Sequence, residues 1–188
     1  VAISTNGGIT LLTGNNDSAR GGFTPEDPVV KALDARTDLS ETAYDAEAKR
    51  LGMAWIKAHP AAFVTLMPRK LAKLWGPDGE GLWAYETGSK AWARAPLAFL
   101  ALRAANQLWY FALLGLFAAG AVIELRRRLA TGRRPIDWWV LPYGIALYPS
   151  AIAMVFSGQS RFHYPVMPFV CVTAGWLLAR WLERRANA

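Results

Sequence analysis

Three long apolar runs occupy the second half of the chain, at residues 96–125, 138–156 and 166–182. The hydrocarbon core of a bilayer is about 30 Å thick, and a helix of about 20 apolar residues crosses it. Pro142 and Pro149 fall inside the second run, and membrane helices tolerate proline where neighbouring groups satisfy the freed carbonyls. The pattern therefore predicts three transmembrane helices, of which the second is kinked.

The beginning of the chain has no run of this kind. Asn-Gly-Gly at residues 6–8 and Gly-Asn-Asn at residues 14–16 are turn signals. Residues 9–13 lie between them, and their sequence predicts a short strand in a hairpin-like unit.

Two helices are predicted in the rest of the first half. Apolar residues recur at helical spacing over residues 40–58, and Asp38 or Ser40 can cap the start of this helix. Pro60 ends or bends it. A second helical stretch follows at residues 61–75.

The stretch 61–75 mixes large apolar residues with Arg69, Lys70 and Lys73. It is too short and too charged to cross a bilayer easily, so it predicts a helix lying at the membrane surface with its cations toward the headgroups. The alternative is an ordinary amphipathic helix packed on protein. Residues 76–90 predict a glycine-rich loop, and Trp83 and Tyr85 within it suit a membrane interface.

The predicted fold class is mainly α: a polytopic membrane protein with three C-terminal transmembrane helices, a juxtamembrane interfacial helix and a small irregular extracytoplasmic region. The chain is thus predicted to consist of two regions. Residues 1–95 form an extracytoplasmic region with the strand, the turns and two amphipathic helices, and residues 96–188 form the transmembrane region with the three spans.

Charge is distributed unevenly between these parts. Residues 1–95 hold eleven basic and eleven acidic residues, whereas residues 96–188 hold ten basic and three acidic ones, so the net charge of +7 lies in the apolar half. Basic links between spans are typical of cytoplasmic flanks, which places residues 126–134 and 180–185 inside the cell. Residues 1–95 and the link 157–164 then share the extracytoplasmic face of an inner (plasma) membrane protein. Nucleic acid is not an expected partner, because the basic residues lie beside spans.

The sequence assigns no metal site, and it leaves any cofactor unknown. It has one cysteine, Cys171, and it contains no zinc-type spacing, nucleotide-binding glycine fingerprint or nucleophile elbow. The chain begins at Val1 without a methionine, so we expect it to be a piece of a longer protein. Functional residues can then lie upstream of it.

The link 157–164 carries the densest polar cluster at a membrane boundary. Arg161 can hold a phosphate by a forked pair of hydrogen bonds, and His163 can act as a proton carrier or as a hydrogen-bond donor. Tyr164 can anchor the chain at the level of the lipid headgroups. All three also suit simple interface anchors beside a span, and this is the favoured interpretation of His163.

The asparagines of the two turns are further candidates. Asn6, Asn15 and Asn16 can present amides to a sugar, although Asn is also the usual residue of a tight turn, which is the favoured interpretation. His59 precedes Pro60 at a helix break, where a structural role is favoured over catalysis.

The order of these features resembles a known family. The run STNGGITL at residues 4–11, the Gly-Asn-Asn turn and the pair at residues 21–22 are similar to the extracytoplasmic segment of bacterial C-type membrane glycosyltransferases. These enzymes are relatives of the dolichyl-phosphate-mannose protein mannosyltransferases and of the lipid A aminoarabinose transferase. Three later runs also resemble landmarks of that family: AKRLGMAWIKAHP at residues 48–60, RKLAKLW at 69–75 and SRFHYPVMPF at 160–169.

The resemblance implies the C-terminal part of a transferase that moves a sugar from a polyprenyl-phosphate donor to an unknown acceptor. It also implies that the catalytic carboxylate lies in an upstream loop, so no catalytic residue is assigned here. Arg161 suits stabilisation of the leaving phosphate. The alternative function is a non-enzymatic membrane assembly or transport module with a periplasmic head.

Overall fold

The computed structural model describes residues 6–77, 94–134 and 136–187. These residues form seven α-helices and no β-strand: α1 (Gly7–Gly14), α2 (Pro28–Asp34), α3 (Glu41–Ala58), α4 (Pro60–Leu74), α5 (Pro96–Ala130), α6 (Leu141–Val155) and α7 (Met167–Ala186). Short 3-10 segments, Trp138–Val140 and Ser160–Val166, precede α6 and α7. The mainly α fold class is confirmed. Residues 78–90 of the predicted loop, with Trp83 and Tyr85, lie outside the described residues.

The strand predicted at residues 9–13 is wrong, because these residues belong to α1. Its N-terminus is capped from another helix: the backbone N–H groups of Gly8 and Ile9 donate to Asp45 Oδ1 at 2.7 and 3.2 Å. Leu12 of α1 is buried. Tertiary contacts thus override a weak β preference. The described part of residues 1–76 is largely helical, which also corrects the expectation of a small irregular region.

The first compact unit combines Val1–Gly76 with Pro149–Phe162. Its apolar core is formed by Leu12, Val30, Leu33 and Ala48, contributed by α1, α2 and α3. Ser40 caps α3 as predicted, accepting a hydrogen bond from the Ala43 N–H at 3.3 Å. Pro60 is the first residue of α4, so the chain breaks between α3 and α4 where proline predicted it.

The second compact unit comprises Pro77–Tyr148 and His163–Ala188. Within it α5 and α7 pack against each other. A Cβ on Gly120 would lie 3.2 Å from the Tyr143 hydroxyl and 3.3 Å from Thr173 Cγ2, so a small residue permits this approach. The Tyr143 hydroxyl donates to the Phe117 carbonyl at 3.2 Å. These compact units divide the chain differently from the predicted boundary at residue 95, which separates the extracytoplasmic region from the spans. That boundary stays a prediction.

Three helical stretches among the described residues are long and apolar enough to cross a membrane: Pro96–Ala130, Trp138–Val155 and Ser160–Ala186. Their surfaces expose large apolar side chains, such as Leu97, Leu108 and Val172, each more than 70% accessible. Water-soluble surfaces rarely carry such continuous apolar area. The three apolar helices therefore indicate a membrane protein. The predicted interfacial position of α4 stays a prediction.

Candidate functional site

The most enclosed cation in the described part of the chain is Lys70. Leu66, Lys70 and Leu74 lie four residues apart on α4, so they share one face of the helix, and all three are buried. Arg69 and Lys73 on other faces are exposed. The expectation that Lys70 faces the headgroups is therefore wrong. The spacing of four was the sequence signal that could have revealed it.

The Lys70 ammonium holds the end of another helix. Its Nζ donates to the carbonyls of Val155 and Met154 at 3.2 and 3.3 Å, and to Asn15 Oδ1 at 2.7 Å. The two carbonyls belong to the last turn of α6, where carbonyls have no intrahelical partner. A cation at a helix C-terminus also interacts favourably with the helix dipole. Lys70 therefore fastens α4 to the end of the second candidate span.

Burial lowers the pKa of Lys70 to about 8, because desolvation disfavours the charged amine. This value still leaves the ammonium form predominant at neutral pH. Three acceptors match its three N–H donors. Lys70 is thus a structural cation whose hydrogen bonds are all directed into the protein.

Asn15 completes the same network. Its Nδ2 donates to the carbonyls of Leu11 and Val155 at 2.8 and 2.9 Å, and its side chain is fully buried. We call Lys70, Asn15 and the Met154 and Val155 carbonyls the lysine tie. It joins α1, α4 and α6 within the first compact unit.

Asn16 is buried as well, and its Nδ2 donates to the Leu12 carbonyl at 3.0 Å and to Thr24 Oγ1 at 2.9 Å. The amides of Asn15 and Asn16 therefore bond the protein itself, and their predicted contact with a sugar stays a prediction without support from this geometry. Asn6 is exposed directly before α1, where its carbonyl accepts a hydrogen bond from the Thr10 hydroxyl at 2.7 Å.

The link after the second span packs backbone to backbone against the first half of the chain. The Gly158 N–H donates to the Gly21 carbonyl at 2.9 Å. A Cβ on Gly158 would overlap the Lys70 carbonyl, and a Cβ on Gly14 would overlap the Phe156 carbonyl. Glycine is needed at both positions because the two backbones approach so closely. These contacts bring the Gly-Asn-Asn turn and the link together.

Arg161 is exposed at the end of this packed link. Ser157, Gln159 and Ser160 just before it are buried, so the exposed arginine directly follows a packed segment. Its guanidinium carbon lies 5.2 Å from the centroid of the Phe162 ring, a cation–π distance.

His163 and Tyr164 belong to the second compact unit. The His163 ring is fully buried and stacks on Tyr110 with a centroid distance of 5.0 Å, while Tyr164 is partly exposed and lies 5.1 Å from it edge-on. His163 is thus an enclosed residue, and its interpretation as an interface anchor stays a prediction.

The described residues contain no group of three or more His, Cys, Asp or Glu side chains that could hold a metal ion. The chain matches no protein-family model, and comparison with curated proteins and with solved structures finds no significant similarity.

Proposed function

We propose that the chain is the C-terminal part of an integral membrane glycosyltransferase that uses a polyprenyl-phosphate-linked sugar on the extracytoplasmic face. The order of the sequence motifs and the three apolar helices support this proposal. The catalytic carboxylate would lie upstream of Val1, in the remainder of the enzyme.

One observation carries the proposal: Arg161 is an exposed cation at the start of a candidate span, directly after a buried link. It lies in the first turn of the third candidate span, Ser160–Ala186. The Gly158–Gly21 hydrogen bond holds the preceding link. The phosphate of a membrane-embedded donor must lie at the same level as such a residue, because its polyprenyl chain stays in the hydrocarbon.

The proposed chemistry is an inverting displacement at the anomeric carbon of the sugar. The acceptor forms the new bond to that carbon, a carboxylate outside this chain takes the acceptor proton, and the bond to the polyprenyl phosphate breaks. Negative charge grows on the leaving phosphate, and the Arg161 guanidinium can stabilise it with two parallel hydrogen bonds. His163 has no assigned part in this step because its ring is enclosed.

The proposal includes an orientation. Residues 1–95 and the link 157–164 would face the extracytoplasmic side, and the arginines of 126–134 and 180–185 would face the cytoplasm of an inner membrane. The charge difference between the two halves supports this arrangement.

Replacing Arg161 by alanine is expected to lower sugar transfer by the full-length enzyme about ten- to hundredfold, because a charge-assisted contact contributes about 1.5–3 kcal/mol. Arg161→Lys should retain part of the activity, since the charge remains but the forked geometry is lost. The measurement is transfer from a polyprenyl-phosphate sugar by purified enzyme, with thermal stability followed in parallel.

Arg50→Ala is the matched control, because Arg50 is an exposed arginine of the same compact unit that pairs with Glu47 at 2.7 Å. It should leave transfer unchanged. Wild-type transfer by Arg161→Ala would remove Arg161 from the site. If the intact wild-type protein transfers no sugar from any polyprenyl-phosphate donor, the non-enzymatic membrane module becomes the better account.

A further inference from the structure

A cavity of about 470 Å³ lies in the second compact unit, between the C-terminal part of α5, the start of α6 and the middle of α7. Four arginines contribute to its wall: Arg127, Arg128, Arg133 and Arg180. They belong to the basic flanks that the sequence assigns to the cytoplasmic side. Neither Arg161 nor a residue of the lysine tie lines this cavity.

A buried carboxylate organises three of these arginines. Glu124 accepts hydrogen bonds from Arg127 Nη2 at 2.7 Å and from Arg128 Nε at 2.8 Å. Arg180 Nη1 lies farther away, 3.7 Å from Glu124 Oε2. The Glu124 side chain is only 4% exposed, whereas those of Arg127 and Arg180 are about one-third exposed. The Glu124 carboxylate therefore holds the guanidinium groups by ion pairs, and the side chains of Arg127 and Arg180 remain partly open to the cavity.

The positive charges outnumber the negative ones. Asp137, the other acidic residue of the wall, is bonded to Arg128 Nη1 at 3.2 Å. Four arginines thus face two carboxylates, which leaves two positive charges without compensation in the wall. A cavity with this charge balance attracts an anion.

The wall is also strongly aromatic. The Arg180 guanidinium carbon lies 5.0 Å from the centroid of the Trp176 ring, and that of Arg128 lies 5.8 Å from the Trp139 ring. A cation–π contact of this kind attracts the guanidinium group without using its hydrogen-bond donors. Val172, 72% exposed, lines the apolar side. An occupant with an anionic head and an apolar chain matches both sides of this wall.

We propose that this cavity binds the phosphate headgroup of an anionic membrane lipid, with Arg180 and Arg133 as the main phosphate ligands. Arg180 makes the longest of the contacts to Glu124, and Arg133 is exposed at the cavity wall. Basic cavities between the cytoplasmic ends of membrane helices bind such headgroups by the same chemistry. The inference does not depend on the proposed glycosyltransferase activity.

The test compares thermal stabilisation of the full-length protein by phosphatidylglycerol, by phosphatidylcholine and by inorganic phosphate, each added to protein in neutral detergent. Wild-type protein should be stabilised by phosphatidylglycerol alone. Arg180→Gln should weaken the apparent affinity for this lipid about tenfold or more, the usual effect of losing a charge-assisted hydrogen bond.

Arg184→Gln is the control, because it removes the same charge from the same flank of α7 but does not line the cavity. It should leave the lipid effect nearly intact. Equal weakening by both variants would overturn the site in favour of general attraction to the basic flank. Stabilisation by inorganic phosphate equal to that by the lipid would overturn the lipid as ligand. If Arg180→Gln does not fold, Arg133→Gln replaces it with the same expected result.

Discussion

Replacing Gly158 by alanine is expected to destabilise the protein by about 3 kcal/mol or more, at the upper end of the usual cost of overpacking. The added Cβ would overlap the backbone carbonyl of Lys70, and a backbone atom cannot rotate away as a side chain can. The link must then separate from α4, which breaks the Gly158–Gly21 hydrogen bond. Thermal unfolding and the yield of monodisperse protein in detergent measure the effect.

Gly22→Ala is the matched control for this substitution. A Cβ on Gly22 has one neighbour within 4 Å, the Gly158 carbonyl oxygen at 3.9 Å, which is ordinary van der Waals contact. This variant should unfold at nearly the wild-type temperature. If Gly158→Ala also unfolds at nearly the wild-type temperature, the link does not pack closely against α4.

Replacing Lys70 by methionine is expected to cost about 2 kcal/mol, although methionine fills a similar volume. The substitution leaves the buried Asn15 Oδ1 and the Met154 carbonyl without their hydrogen-bond donor. A buried acceptor that loses its partner costs about 1–3 kcal/mol. Lys73→Met, on the exposed side of the same helix, should change the free energy of unfolding by less than about 0.5 kcal/mol.

A double-mutant cycle separates the lysine tie from simple packing. Asn15→Leu alone should also destabilise the protein, and the pair Asn15→Leu with Lys70→Met should cost less than the sum of the two single changes. The expected coupling is about 1–2 kcal/mol. Strict additivity would mean that the two side chains do not act together.

The pH dependence of stability gives a second measurement on the same residue. The pKa of Lys70 falls from 10.5 to about 8 on burial, so the unfolded chain binds this proton more tightly than the folded protein. Stability contributed by Lys70 should therefore rise as pH increases from about 8 to about 10.5, and it should be flat below that range. The difference in unfolding free energy between wild type and Lys70→Met should show this rise. A difference that stays constant through the range would contradict the lowered pKa of Lys70.

The apolar pattern predicted the three long apolar helices well because each run is long and its signal depends on little else. Pro60 and Ser40 similarly marked the helix boundaries through local chemistry. The error at residues 9–13 has a different origin. A β-prone stretch of five residues became helical because Asp45, distant in sequence, caps it.

The candidate site was less predictable for a related reason. The burial of Lys70 depends on Asn15 and on the end of α6, which lie 55 and 85 residues away along the chain. A cation in a short helix otherwise favours an exposed position, because burial without partners is costly. The sequence likewise predicts only a turn residue at Asn15. Its side-chain acceptor, the Val155 carbonyl, is distant along the chain and cannot be identified from local sequence.

The orientation of the chain is the claim on which the proposed function depends most directly, because the donor phosphate is required near Arg161 on the extracytoplasmic side. Cysteine labelling in intact cells tests it most directly, using full-length protein in which Cys171 is replaced by serine. Lys49→Cys and Thr131→Cys introduce single cysteines at exposed positions of α3 and of the link between α5 and α6.

A membrane-impermeant maleimide should label the cysteine at position 49 in intact cells and the cysteine at position 131 only after the membrane is opened. Labelling of position 131 but not of position 49 in intact cells would reverse the topology and contradict the proposed function.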